Sequence, residues 1–88
     1  MKLKENFVLR QVAGSYVVVA VGAASVDFNG MLTLNDSGAL LWRTLEGGAD
    51  RAALLTALTS EYDVDEAQAA RDLDEFLSSL QIAGCLAE

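Results

Sequence analysis

Histidine and proline are absent from this chain, and cysteine occurs once, at Cys85. A lone cysteine forms no internal disulfide, and the Cys/His spacings of zinc sites are missing. Without histidine, the commonest general acid–base and the commonest metal ligand are both gone. An autonomous hydrolase or metalloenzyme is therefore disfavoured, and no cofactor is implied. Basic residues are also scarce, 6 Lys and Arg against 13 Asp and Glu. Binding to phosphate backbones needs clustered cations that release counterions, and no such cluster exists. The apolar run over 16–21 falls short of the ~7–15 residues of a signal-peptide core. Nothing approaches the ~20 residues of a membrane span. The expectation is a soluble cytoplasmic protein that binds neither nucleic acid nor membrane, its free thiol suited to a reducing compartment.

What is present is enough apolar material for one core. Hydrophobic residues make up 52% of 88 positions, so residues 1–88 are read as a single domain. The net charge of −7 is unevenly placed. Lys2, Lys4, Arg10 and Arg43 against Glu5, Asp27 and Asp36 leave residues 1–44 at +1. Arg51 and Arg71 against ten acids leave residues 45–88 at −8. The acidity belongs to the second half.

That division coincides with a change of pattern. Residues 7–12 alternate, with Val8, Arg10 and Val12 on one face and Phe7, Leu9 and Gln11 on the other. A turn at Ala13-Gly14-Ser15 and a returning strand over 16–21 complete a hairpin. Val26-Asp27-Phe28 extends briefly, Asn29-Gly30 favours a tight turn, and Met31-Leu32-Thr33-Leu34 reads as a third strand. Helical spacing then takes over. Asn35, Asp36 and Ser37 are three candidate N-caps for a helix that stops at Gly47-Gly48. Asp50 caps a second helix with a stripe of Leu54, Leu55, Leu58 and Tyr62. Asp65 and Gln68 form a capping-box pattern for a third, carrying Ala69, Leu73, Phe76, Leu77 and Leu80 on one face up to Gly84. Leu86 is read as a last apolar anchor. The predicted order is β-β-β-α-α-α, an α+β fold with a three-stranded antiparallel sheet followed by three helices.

Candidate chemistry is thin. Asp63 and Asp65 have the alternate spacing that begins a calcium loop, but Ala67 and Ala69 stand where further oxygen ligands are due. Acids at a helix start complement its dipole, which accounts for them without a metal. Ser37 and Cys85 have no base to activate them, so no catalytic residue is assigned. Gly22 and Gly30 lack the register of a phosphate loop. Trp42 is read as core, with a groove-lining ring as the alternative. The third strand is more informative, because residues 30–34 contain none of the Pro or charged residues that blunt a sheet edge. Such an edge can accept an extended peptide as an added strand, pair with a second copy, or be covered by the region 22–28. Composition alone does not choose among them.

The residues Phe28-Asn29-Gly30-Met31-Leu32-Thr33-Leu34-Asn35-Asp36-Ser37-Gly38-Ala39-Leu40-Leu41-Trp42 resemble the heart of the PqqD-like family of precursor-peptide recognition elements. The Leu45-Glu46-Gly47-Gly48 break, the Tyr62-Asp63-Val64-Asp65 lead and the ending Gly84-Cys85-Leu86 are similar as well. The resemblance implies a winged-helix-like fold. It also implies a non-catalytic chaperone that binds the leader of a ribosomally made precursor peptide and presents it to a modifying enzyme, often a radical SAM enzyme. The implied peptide site is the backbone of Met31, Leu32, Thr33 and Leu34. The third helix contributes a wall around Arg71, Asp72, Glu75 and Phe76, with Ala69, Leu73 and Leu80 as further candidates, Leu73 and Leu80 being read rather as core against the first two helices. Among these, only Arg71 offers a positive partner to acidic leader residues. Two alternatives from other classes are a winged-helix DNA-binding regulator and a structural module that forms a homodimer through the same edge.

Overall fold

In the computed structural model, which describes residues 1–22 and 32–87, the hairpin is built from Phe7–Val12 (β1) and Ser15–Ala20 (β2). Its turn is Ala13-Gly14, with positive φ at both residues, 51° and 82°. Two-residue hairpins of type I′ require this conformation because it matches the twist of the strands. Glycine adopts it freely, whereas the Cβ of Ala13 makes it costly. Ser15, expected in the turn, begins β2 instead. Ala13→Asn is expected to raise stability by about 0.5–1 kcal/mol, since asparagine tolerates positive φ far better than alanine. A higher urea midpoint at unchanged slope is the readout.

The third strand, Leu32–Leu34 (β3), pairs antiparallel with β2, giving the order β1-β2-β3. The extension expected at 26–28, the Asn29-Gly30 turn and Met31 lie outside the described residues. Cross-strand registry puts Phe7, Leu9, Tyr16, Val18, Leu32 and Leu34 on one face of the sheet. All six pack on the core, as period-two alternation dictates.

Three helices follow: Asp36–Glu46 (α1), Arg51–Glu61 (α2) and Glu66–Ala83 (α3). Of the three candidate caps of α1, Asn35 is the one used. Its Oδ1 accepts from the Gly38 N–H at 2.8 Å and from the Ser37 hydroxyl at 3.0 Å. Asp50 Oδ1 accepts from the Ala53 N–H at 2.8 Å, and Asp65 Oδ1 from the Gln68 N–H at 2.7 Å. Each such cap stabilises by about 1 kcal/mol. The capping box of α3 is only half made. Gln68 does not reach back to Asp65; it donates to Asp72 Oδ1 at 2.9 Å and accepts from Arg71 at 3.0 Å. At the other end, the amides of Gly84 and Cys85 donate to the carbonyls of Gln81 and Leu80, closing α3 in a Schellman motif.

The helices converge on Trp42, which is fully buried with Leu41, Leu45, Leu54, Leu73 and Leu80. Trp42 is therefore core and lines no groove; among the described residues its Nε1 has no hydrogen-bond partner. Leu54 and Leu58 bury the α2 stripe, while Leu55 and Tyr62 are half-buried at its margin and Tyr62 falls just beyond the helix. An exposed Arg51–Asp74 ion pair at 2.9 Å joins α2 to α3. Solvent-screened pairs of this kind contribute little. Leu86 does return to the core margin, where it bridges Leu3. Among the described residues, no helix is long and apolar enough to cross a membrane.

Candidate functional site

The alternation of hydrogen bonds through the sheet decides which backbone groups of β3 are free. In an antiparallel ladder a residue turns both its N–H and its C=O to the same neighbour, and successive residues alternate sides. The two-residue turn makes Val12 and Ser15 a hydrogen-bonded pair, so Arg10 and Val17 form the next one. The Val21 N–H donating to the Asn6 carbonyl at 2.8 Å keeps the same parity. Val17 is thus turned toward β1, which leaves Tyr16 and Val18 turned toward β3. Their partners there are Leu34 and Leu32. Thr33, between them, directs its N–H and C=O away from β2, and among the described residues no strand lies on that side.

Beside this edge runs a cleft of about 260 Å³. Leu32, Thr33 and Leu34 form one wall, and Asp72, Glu75, Phe76 and Ser79 of α3 form the other. Asn35, Ser37, Gly38 and Leu41 contribute the α1 side. Gly38 has a steric role here. A Cβ at this position would stand 3.2 Å from both Leu34 Cβ and Asn35 Oδ1, so any side chain here would crowd the junction of β3 and α1. A second hollow of about 300 Å³ adjoins the first, sharing Asn35, Ser37 and Asp72, and adding Asp36, Leu58, Tyr62 and Val64.

The structure brings together six of the residues singled out from the sequence: Leu32, Thr33, Leu34, Asp72, Glu75 and Phe76. It separates the others. Ala69 and Leu73 are fully buried in the core. Arg71 is exposed, donates to Gln68 Oε1 at 3.0 Å, and lines neither hollow. Met31 lies outside the described residues. Asn35, Ser37, Gly38, Leu41 and Ser79 were not anticipated at the cleft. For Asn35, Ser37 and Gly38 the sequence signal was there, but it is equally the signal of a helix start.

The remaining chemistry is sparse. Cys85 is fully buried, and burial pushes its thiol above the ordinary value, an effect partly offset by the Lys4 ammonium. A raised thiol pKa keeps the proton on in the folded chain at pH values where the unfolded chain loses it. The stabilisation is therefore complete below the ordinary thiol range and is lost as pH rises through the elevated folded value. In the native protein Cys85 should resist a thiol reagent such as DTNB at pH 8 and react promptly in 6 M guanidinium. Rapid reaction without denaturant would show the burial to be wrong. Among the described residues, no group of three or more His, Cys, Asp and Glu could hold a metal ion. As a DNA reader α3 would be unsuited, since its charged residues are Arg71 alone against Glu66, Asp72, Asp74 and Glu75.

Comparison with known proteins places these features in context. The sequence matches the family of coenzyme PQQ synthesis protein D over residues 9–86. No curated protein sequence matches the chain. The structure of TbiB1 in complex with the TbiA(beta) leader peptide superposes with a TM-score of 0.79 at 24% identity, covering 100% of this chain and 98% of that one. A lasso peptide synthetase B1 complexed with the leader peptide gives 0.73 at 28% identity, covering 96% and 93%.

Proposed function

Since this chain belongs to the PqqD family, we propose that it is a recognition domain for the leader segment of a ribosomally made precursor peptide. It binds by strand addition and does no chemistry itself. The observation that carries this reading is the outward-facing N–H and C=O of Thr33 at the rim of the cleft between β3 and α3. An extended peptide would take up those two backbone groups, while alternate side chains descend between β3 and α3. Burial of a few apolar side chains against Leu32 and the exposed margins of Leu34 and Phe76 supplies affinity at ~25 cal/mol per Å². The similarity to a synthetase component complexed with a leader peptide supports the same occupant.

The role that follows is that of a chaperone. The leader is held here while a separate enzyme modifies the core peptide, a radical SAM enzyme being the class that the sequence resemblance implies. Fluorescence anisotropy with the labelled leader of a ribosomally made precursor tests the proposal. Saturable binding to the leader, and none to the core segment of the same precursor, is the expected result. Equal affinity for both segments would overturn it.

A further inference from the structure

The charge of the cleft specifies its occupant more narrowly than strand addition does. Among the described residues, every charged side chain that lines the two hollows is acidic: Asp72 and Glu75 in the first, Asp36 and Asp72 in the second. Asp72, Asn35 and Ser37 are common to both, so the two hollows adjoin, one at the rim of β3 and the other beside the start of α1. Neighbouring cations are engaged elsewhere. Arg51 pairs with Asp74, Arg43 lies 5.3 Å over the Tyr16 ring, and Arg71 donates to Gln68. An anionic peptide would meet three carboxylates along this path and no lining cation. Like charges brought together in this way suppress the wrong partner, and opposite charges speed the encounter.

Resting on the leader-binding reading above, we infer that the peptide recognised by this chain is basic where it crosses the groove, with a lysine or arginine facing Asp36, Asp72 and Glu75. The second hollow suits such a side chain in two respects. Leu58, Tyr62 and Val64 form an apolar surface for the aliphatic stem, and Asp36 and Asp72 receive the charged head. In the first cleft, side chains two apart on an added strand point the same way. A basic residue two positions from an apolar anchor therefore reaches the carboxylates while the anchor rests on Leu32, Leu34 and Phe76. Selection by charge of this kind depends on ionic strength, because the groove is open to solvent.

A displayed library of random twelve-residue peptides, selected on the immobilised chain, provides the probe. Selected sequences should carry Lys or Arg at a fixed offset of two from an apolar residue. The triple variant Asp36→Asn, Asp72→Asn, Glu75→Gln should bind them about tenfold more weakly in low salt, with most of the salt dependence gone. Asp72→Glu, which keeps the charge, should bind nearly as the parent does. Thermal melting checks that the variants fold; if the triple variant does not, Glu75→Gln alone should lose a few-fold in affinity. Neutral or acidic selected peptides, or basic ones bound equally by the neutralised variants, would overturn the charge inference and leave leader binding standing. Failure of strand addition reads out separately, as selected peptides that bind Thr33→Pro undiminished.

Discussion

Thr33→Pro is expected to weaken leader binding by about thirtyfold, because the ring removes the outward-facing amide of β3 and strands a peptide carbonyl in the cleft. The variant should still fold. Proline is tolerated on an edge strand when the missing N–H faces away from the sheet, and parity directs the Thr33 N–H that way. Leu32→Pro provides the contrast. Its amide belongs to the ladder with β2, so this change should lower stability before it affects the peptide. Thr33→Ala should bind like the parent, because the exposed Thr33 side chain lies on the sheet face opposite Leu32 and Leu34. Anisotropy titration beside far-UV circular dichroism distinguishes the three variants. Loss of binding in Thr33→Ala would shift recognition from main chain to side chain.

Trp42→Ala should have the largest effect on stability. The side chain is 0% exposed and occupies the centre of the cluster where the helices and β2 meet. Truncating a buried tryptophan costs about 3–5 kcal/mol in lost transfer energy and cavity formation. A domain of this size has a total stability on the order of 5–10 kcal/mol, so most of it would be removed. Trp42→Phe should cost far less. It keeps much of the volume and deletes an indole N–H that has no partner among the described residues. Urea unfolding followed by circular dichroism measures both. A Trp42→Ala midpoint within a few tenths molar of the parent would contradict this account of the core.

Much of the architecture is legible in the sequence because it rests on local rules. Asp50, Asp65 and Gly84 act at helix ends where residue type and position agree. The alternation of Phe7 and Leu9 and the helical spacing of Ala69, Leu73, Phe76 and Leu80 report burial directly. What escapes such reading depends on distant partners. The Leu3–Leu86 bridge joins chain segments with no shared pattern. Ala13 stands where a type I′ turn favours Asn, Asp or Gly. Gln68 has the spacing of a capping box, yet Asp72 and Arg71 compete successfully for its amide. At the cleft, the sequence marks an unblocked third strand, but the outward orientation of Thr33 follows only from the register of three strands together. The same holds for Arg71. Its charge suggests a peptide contact, while the fold leaves it outside both hollows and places Asp72 and Glu75 within.

The absence of histidine and the scarcity of basic residues therefore acquire a common meaning in the proposed role. In that role the chain needs only an edge, a cleft wall and a charge that selects. The edge can be tested at a single atom by amide hydrogen exchange, with and without a saturating precursor leader peptide. Strand addition predicts that the Thr33 amide exchanges much more slowly in the complex, while those of Leu32 and Leu34, already bonded to β2, change far less. A Thr33 amide that exchanges as fast in the saturated complex as in the free protein would contradict it.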